Sequence, residues 1–317
     1  MNASISRVGE VLRASEDVLI LTHKNPDGDC LGTGAALCRY LLSLGKRATV
    51  VNDGPIPKKF GYLFEGLPQE DFEPKTIVAV DVADPKLLGR YETLADRVDL
   101  CIDHHVSNKL YARETHLCPD DGAAALSLFR IFRELGIPID KPMADCLYTG
   151  LSTDTGCFRY SNANAEAYRA AADLIELGAD NGPINTKMFE TKPLSQFQVL
   201  SDAFAGLRLY CDGKVSVLKI SQEMLRERGA DTDAFEFVTA MSRQVEGVLC
   251  GITMKQQEDG SYKISLRTHE PLDASALCGL LGGGGHQRAA GCNAGEDEEA
   301  SLRVLLKQIA EELGVEL

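Results

Sequence analysis

Near its N-terminus the chain reads Val18-Leu19-Ile20-Leu21-Thr22-His23-Lys24-Asn25-Pro26-Asp27-Gly28-Asp29-Cys30, and so passes from an apolar run into an imidazole and two carboxylates. The apolar run predicts a buried strand, and the polar residues follow where that strand would lead into a helix. Oxygen and imidazole donors at this spacing suit a hard or borderline divalent cation such as Mn²⁺. Taken alone, the stretch is equally compatible with an ordinary loop in which Asp29 caps the next helix.

Length and composition are typical of a globular protein with two domains. The chain has 317 residues, with 44% hydrophobic and 25% charged residues, and its length exceeds that of one typical core. No segment is apolar over the length that spans a bilayer, and the N-terminus lacks the basic and apolar regions of a signal peptide. We therefore expect a cytoplasmic protein with no membrane partner.

The ten cysteines are scattered singly, without a Cys-x2-Cys pair. Several lie in apolar runs, where a free thiol packs as a small hydrophobic group: Cys38, Cys101, Cys146 and Cys250. This pattern favours a reducing compartment and disfavours structural zinc.

The formal net charge is −14. Affinity for long nucleic acid comes largely from Lys and Arg, so this charge argues against a long duplex nucleic-acid partner. A short anionic substrate is still compatible with this net charge. If acidic residues bind metal ions, the positive charge of the ions reverses the sign of the local electrostatic field.

Two later apolar runs also end in polar residues. Thr76-Ile77-Val78-Ala79-Val80 leads into Asp81, and Val98-Asp99-Leu100-Cys101-Ile102 leads into Asp103-His104-His105. Strands that are apolar throughout and separated by helical segments predict a parallel sheet covered on both faces. Ligands of such sheets bind at the carboxyl ends of the strands, where the polar residues would meet.

The remainder of the chain predicts a helix over Pro142–Leu151, a loop with Asp154, and then helical segments up to about Ala205 with a break at Pro193. After Leu207 we expect two hairpins: Leu207–Tyr210 with Val215–Ile220, and Val248–Gln256 with Tyr262–Thr268. Helices are expected near 221–228, 233–239, 273–281 and 297–313. The predicted domains are 1–186 and 206–317, joined by a helical linker over 187–205.

The acidic and imidazole groups at the expected sheet edge are His23, Asp27, Asp29, Asp81, Asp103, His104, His105 and Asp154. Placing so many carboxylates in one cleft costs free energy, because they repel one another, unless bound cations neutralise their charge. Their number suits two ions that share a carboxylate, an arrangement used for in-line displacement at phosphorus. The chain has neither a serine elbow nor a P-loop, which favours an activated water as the nucleophile.

The order of these motifs resembles the DHH phosphoesterase superfamily: His-x3-Asp-x-Asp, then Asp81, then Asp103-His104-His105, then Asp154. The segment Gly282–Gly285 with His286 and Ala289-Ala290-Gly291 resembles the signature of the associated DHHA1 domain. The resemblance covers nearly the whole chain. Within the superfamily it is similar to the bifunctional oligoribonuclease (nanoRNase) and 3′-phosphoadenosine-5′-phosphate phosphatase group.

This resemblance implies an α/β fold with an N-terminal catalytic DHH domain and a smaller DHHA1 substrate-binding domain. It implies two divalent ions, Mn²⁺ by preference, of which the first is held by His23, Asp27 and Asp81. The second would be held by Asp29, Asp81, His104 and Asp154. Asp103 would orient an imidazole, and His105 would face the scissile phosphate as a hydrogen-bond donor or general acid.

The glycine run would let backbone amides approach a phosphate, and we expect this nest at the start of a following helix. The expected substrate-binding residues are Arg243, Arg267, Gly283, Gly284, Gly285 and His286. For the two arginines, a surface ion pair is nearly as good an explanation. Phe158, Arg159 and Tyr160 follow the last metal motif and could hold a base or sugar.

The expected substrates are short RNA oligonucleotides, cleaved to mononucleotides, and 3′-phosphoadenosine 5′-phosphate (pAp). A phosphodiesterase for cyclic dinucleotides or their linear products shares every metal ligand and stays open as an alternative. A family II inorganic pyrophosphatase should have a Lys/Arg-rich C-terminal signature instead, and superfamily exonucleases for long substrates usually have further domains. A non-catalytic nucleotide sensor is the alternative from another class. A homodimer is compatible with the sequence.

Overall fold

The structure is a computed structural model that describes residues 2–230, 235, 238–294 and 297–317. The chain divides into two compact units, Met1–Thr191 and Lys192–Leu317. All ten cysteines are free thiols. Within the described ranges, none of the helices combines the length and the apolar character needed to cross a membrane.

The first unit is built on five parallel strands in the order β2-β1-β3-β4-β5. They are β1 (Val18–Leu21), β2 (Ala48–Val51), β3 (Thr76–Val80), β4 (Leu100–Asp103) and β5 (Glu114–Leu117). This confirms the predicted α/β fold with a parallel sheet. The sequence did not predict β5, because three of its four residues, Glu-Thr-His-Leu, are polar, and this edge strand therefore lacks a continuous apolar run.

Helices cover one face of this sheet, and a 3₁₀ segment covers the other. The α-helices are α1 (Ile5–Ala14), α2 (Gly28–Ser43), α3 (Ala124–Glu134), α4 (Lys141–Asp154), α5 (Ala165–Glu176) and α6 (Asn181–Asn185). The first four pack with α5 against the side chains of Ile20, Val78 and Ile102 in the main core. The 3₁₀ segment Pro85–Arg97 packs against Leu21 on the opposite face. Burial on both faces explains why these strands are apolar throughout.

Two helix boundaries differ from the sequence-based expectation, and both concern predicted metal ligands. Helix α2 begins at Gly28, with Asp27 rather than Asp29 as its N-cap, and the Asp27 carboxylate accepts from the amides of Asp29 and Cys30. The prediction that Asp154 lies in a loop was wrong, since it is the last residue of α4. The hydroxyls of Thr153 and Thr155 hydrogen-bond to carbonyls inside the helix, and the first glycine after the end of the helix is Gly156.

The second unit contains a mixed sheet of six strands in the order β10-β11-β9-β8-β7-β6. The strands are β6 (Arg208–Tyr210), β7 (Val215–Ile220), β8 (Cys250–Gln256), β9 (Tyr262–Thr268), β10 (Gly284–His286) and β11 (Ala289–Asn293). Both predicted hairpins, β6–β7 and β8–β9, are confirmed as antiparallel pairs. Strands β7 and β8 are parallel.

Helices lie against both faces of the second sheet as well. They are α7 (Leu194–Ala205), α8 (Gln222–Arg228), α9 (Val238–Ser242), α10 (Ala274–Gly279) and α11 (Glu298–Leu313). Most of the helix predicted near 233–239 lies outside the described residues. The π-helical turn Thr186–Glu190 precedes Pro193, which is the N-cap of α7 and ends the preceding helical path as expected.

The prediction of a helix directly after the glycine run is also wrong. Gly284–His286 forms the edge strand β10, which turns back through Gln287 and Arg288 into β11. A backbone nest at a helix N-terminus is therefore not the structure that this signature adopts. The sequence pattern did not predict strands β10 and β11, because glycines and short alanine runs are compatible with both an edge strand and a helix cap.

Helices α2 and α4 approach each other closely at Gly32, where an added Cβ would overlap the carbonyl oxygen of Cys146. We expect Gly32→Ala to lower the free energy of unfolding by about 1–3 kcal/mol, because the two backbones must separate. This is the net loss, after the ~1 kcal/mol that alanine gains in helix propensity. Gly182→Ala in α6 is the matched control, since its Cβ would meet open space. Equal denaturation midpoints for the two variants would contradict this account.

Candidate metal centre and substrate face

The six predicted metal ligands meet at the carboxyl edge of the first sheet. His23 follows β1, Asp27 and Asp29 begin α2, Asp81 follows β3, His104 follows β4, and Asp154 ends α4. Three strand ends and two helix ends thus converge, as the parallel topology predicts.

Asp81 lies between the other ligands. Its Oδ2 is 3.7 Å from His23 Nε2, and its Oδ1 is 3.4 Å from His104 Nε2. The residue has a φ of 59°, a left-handed conformation that an L-residue adopts at an energetic cost. Oδ1 is buried and has no hydrogen-bond donor among the described residues. A strained residue with an unsatisfied buried oxygen indicates a position built for a bound group.

One group of donors surrounds Oδ2 of Asp81. The donor atoms of His23, Asp27, Cys30 and Asp81 all lie within 4.8 Å of one another, and His23 Nε2 is 3.6 Å from Asp27 Oδ1. Cys30 was not among the predicted site residues. The available signal was its position directly after Asp29, in the first turn of α2.

A second group of donors, from Asp29, His104 and Asp154, also lies within 4.8 Å. His104 Nε2 is 3.8 Å from Asp29 Oδ2 and 3.6 Å from Asp154 Oδ2. Since Asp81 Oδ1 faces the same imidazole, this carboxylate borders both groups of donors.

The density of carboxylates shifts the pKa values of this site. Burial, together with repulsion from Asp81 and Asp154, raises the pKa of Asp29 well above its ordinary value. Burial likewise raises the pKa of Asp154 to about 6. Burial lowers the pKa of His104, but the carboxylates around it raise the pKa to about 10 overall. Negative charge is therefore present in excess, and a cation would relieve it.

The residues present fit a divalent metal centre. Imidazole nitrogens and carboxylate oxygens are donors for borderline and hard cations, and the buried, unsatisfied Oδ1 of Asp81 has the position of a ligand atom. The described acidic and histidine groups can therefore hold metal.

Asp103 serves a different purpose, because hydrogen bonds from its own neighbours surround it. Its carboxylate accepts from the amides of His104 and His105, at 2.8 and 3.2 Å, from His105 Nδ1 at 2.8 Å, and from the amide side chain of Asn108. Burial raises the pKa of Asp103, but the hydrogen bonds from His105 and Asn108 outweigh burial and lower it. The ionised carboxylate raises the pKa of His105 in turn. Sequence analysis did not single out Asn108, five residues after Asp103.

Three of the predicted substrate residues lie along or over one row of the second sheet: His286, Arg267 and Arg243. His286 pairs with Ala289, Ala289 with Arg267, and Arg267 with Gly251. Directly paired residues project from the same face, so His286 and Arg267 share one face, about 10 Å apart across β11. An added Cβ on Gly251 would lie 2.6 Å from the amide nitrogen of Arg243, which places Arg243 over the same row.

Backbone carbonyls hold the two arginines. Arg243 Nη1 donates to Thr268 O at 3.1 Å, and Arg267 Nη1 donates to Leu266 O at 3.0 Å. In β10, Gly285 has a φ of 149°, and a Cβ there would press on Ala290, so this edge requires glycine. His286, beside it, is exposed. The result is a face with cationic and imidazole donors rather than a nest of amides.

Comparison with known proteins agrees with both units. The DHH family N-terminal domain matches residues 17–151, and the DHHA1 domain matches residues 212–314. A bifunctional oligoribonuclease and PAP phosphatase NrnA of Thermus thermophilus is 31% identical over 315 residues, 96% of this chain and 93% of that protein.

Two solved structures share the fold. An exopolyphosphatase-related protein of Bacteroides fragilis superposes with a TM-score of 0.87 at 22% identity, over 98% of this chain and 97% of that one. RecJ of Thermus thermophilus in complex with Mn²⁺ superposes with a TM-score of 0.52 at 16% identity, over 97% of this chain and 54% of that one.

A parallel α/β sheet with a cluster of carboxylates and imidazoles at its carboxyl edge, in a chain with these relatives, defines a metal-dependent hydrolase. The chain belongs to the DHH/DHHA1 family of phosphoesterases.

The contact between Asp103 and His105 can be tested in the metal-free protein. Asp103→Asn removes the negative charge that favours the imidazolium, so the pKa of His105 should fall toward its ordinary value. Titration of the His105 ring protons by NMR measures this shift. Asp99→Asn, which removes a carboxylate bound to Arg113 at 2.8 Å, is the control and should leave His105 unchanged. An unaltered His105 titration in Asp103→Asn would contradict the assigned contact.

Proposed function

We propose that this chain hydrolyses short RNA oligonucleotides to mononucleotides and dephosphorylates 3′-phosphoadenosine 5′-phosphate, using two divalent ions, by preference Mn²⁺. The observation that carries the proposal is the position of Asp81, whose two oxygens face two separate groups of donors. A carboxylate shared between two ions is typical of sites that cleave phosphate esters. The Thermus relative is named for the same two activities.

In this proposal His23, Asp27 and Asp81 hold one ion, while Asp29, Asp81, His104 and Asp154 hold the other. When bound, the ions supply charge neutralisation at the phosphate and activation of water. Mn²⁺ is proposed because it accepts mixed oxygen and imidazole donors and because RecJ, which shares the fold, was solved with it.

His105 is proposed to donate a hydrogen bond or a proton to the phosphate ester. Its Nδ1 is fixed by Asp103, so its Nε2 is the nitrogen left to meet a substrate, and the side chain is 41% exposed. The Asp103 contact raises the pKa of His105, which keeps the imidazole protonated to a higher pH. An imidazole in that state can stabilise or protonate a leaving oxygen.

The second unit is proposed to recognise the substrate through the face that carries Arg243, Arg267 and His286, with Gly283–Gly285 forming its edge. Guanidinium groups match phosphate oxygens in charge and geometry. We assign catalysis to residues 1–186 and recognition to residues 206–317, joined by 187–205. With a formal net charge of −14, the chain is suited to few phosphates rather than to long or duplex nucleic acid.

The proposed function is tested by assaying an RNA dinucleotide, pAp, a cyclic dinucleotide and pyrophosphate side by side with Mn²⁺. We expect turnover of the dinucleotide and pAp. Asp81→Asn should lower kcat by about 10³-fold or more, because it removes a charge from both proposed ion sites. Asp99→Asn is the matched control and should keep its activity. Turnover of the cyclic substrate alone would overturn the proposal, and activity retained by Asp81→Asn would overturn the ion assignment.

The role proposed for the face that carries Arg243, Arg267 and His286 can be tested separately. Arg243→Ala and Arg267→Ala should each raise KM for pAp by about 10-fold, since a hydrogen bond to a charged group contributes ~1.5–3 kcal/mol. The effect on kcat should be smaller. Arg208→Ala, on the opposite edge strand β6, is the matched control and should leave KM unchanged. If steady-state kinetics show equal KM values for all three variants, this face does not bind substrate.

A further inference from the structure

Three of the proposed ligands depend on one short loop outside the sequence motifs. This β5–α3 loop comprises residues 118–123, between strand Glu114–Leu117 and helix Ala124–Glu134. The loop contacts His104 directly and Asp154 through Asn162, and the first two residues of α3, which follow the loop, bind Asp29. These three ligands form the second group of metal donors.

The first contact fixes the His104 ring. His104 Nδ1 lies 3.0 Å from the backbone carbonyl of Asp121. A carbonyl oxygen only accepts, so Nδ1 carries the proton in the neutral ring and the lone pair of Nε2 is available to a cation. Nε2 is the atom that faces Asp29, Asp81 and Asp154.

The second contact orients Asp29. The amides of Ala124 and Ala125 donate to its Oδ2 and Oδ1 at 2.6 and 2.9 Å, and Thr33 Oγ1 donates to Oδ1 at 3.1 Å. The N-cap of α3 is Ala123, whose methyl group accepts nothing, so the carboxylate of Asp29 caps this helix from another element.

The third contact reaches Asp154 through Asn162. The Asn162 amide donates to Gly122 O at 3.0 Å and to Asp154 O at 3.2 Å, and it lies 3.5 Å from Asp154 Oδ2. A shift of the β5–α3 loop would therefore displace one imidazole and two carboxylates together.

The side chain of Asp121 holds this loop in place. Its carboxylate is 6% exposed and accepts from Ser127 Oγ at 2.8 Å and from Arg130 Nη1 at 2.7 Å, both on α3. The Arg130 side chain is 42% exposed, and an ion pair with an exposed partner contributes little to stability. The contact is better explained by the position that it gives to the backbone carbonyl of Asp121.

We propose that Asp121 is a positioning residue that, with Ser127 and Arg130, sets the geometry of the metal site formed by Asp29, His104 and Asp154. It acts through its backbone carbonyl and the loop, and it contacts neither substrate nor ion. This inference rests on the proposed two-ion site but not on the identity of the substrate.

The test is binding of Mn²⁺ to the metal-free full chain, measured by calorimetry and by electron paramagnetic resonance. His23→Ala and His104→Ala first assign the two binding steps of the wild-type protein. In Asp121→Asn the step assigned to His104 should weaken by about 10–100-fold, as is typical when a partner of a ligand is lost. The step assigned to His23 should be unchanged. Ser127→Ala removes one donor only and should weaken the same step by less.

Asp99→Asn is the matched control, because Asp99 also binds an arginine and one further donor, Arg113 Nη1 at 2.8 Å and Ile77 N at 2.9 Å. It should lower thermal stability without changing either binding step. In Asp121→Asn, excess Mn²⁺ should restore kcat while KM stays constant. Equal weakening of both steps, or of neither, would overturn the positioning role. A single binding step in the wild-type protein would overturn the two-ion assignment and this inference with it.

Discussion

Mutual repulsion among five carboxylates is the constraint under which the first unit is organised. Asp27, Asp29, Asp81, Asp103 and Asp154 converge on one sheet edge, and four of their carboxylates accept hydrogen bonds from protein donors, the longest at 3.5 Å from the Asn162 side chain to Asp154 Oδ2. Helix N-termini bind Asp27 and Asp29, a strand-end turn binds Asp103, and a loop amide binds Asp154. Asp81 Oδ1 is left without a donor among the described residues. Hydrogen-bond donors of the protein thus compensate four of the carboxylates, and a cation would neutralise the remaining charge at Asp81.

The parallel topology brings these groups together without long loops. Each of β1, β3 and β4 delivers a polar residue to the same edge within two residues of its end. The rigid strands place the donors, and the left-handed φ of Asp81 turns its carboxylate between the two groups. The apolar runs therefore determine where the polar residues that follow them meet.

The features that could be predicted from sequence were those with local patterns. The apolar runs before His23, Asp81 and Asp103 specified three strands and hence their common edge. Strand β5 lacked this pattern because it is short and lies at the edge. The β5–α3 loop could not be foreseen, since its effect on His104 passes through the carbonyl of Asp121, and carbonyls have no sequence signature. The end of α4 was not predicted, because it depends on hydrogen bonds from threonine side chains, and threonines are also common in loops.

Strand register explains what the glycine signature does in the second unit. Glycines at the edge strand β10 allow it to lie close to β11, and the pairing through Ala289 aligns His286 with Arg267. The chain carries a net negative charge of −14, so long-range attraction contributes little to binding a polyanion. Under the proposed function, binding energy would come from short-range contacts at a few aligned donors, and phosphates beyond their reach would add repulsion rather than affinity. Such a surface would select small substrates by the number of contacts it offers, without a steric barrier to large ones.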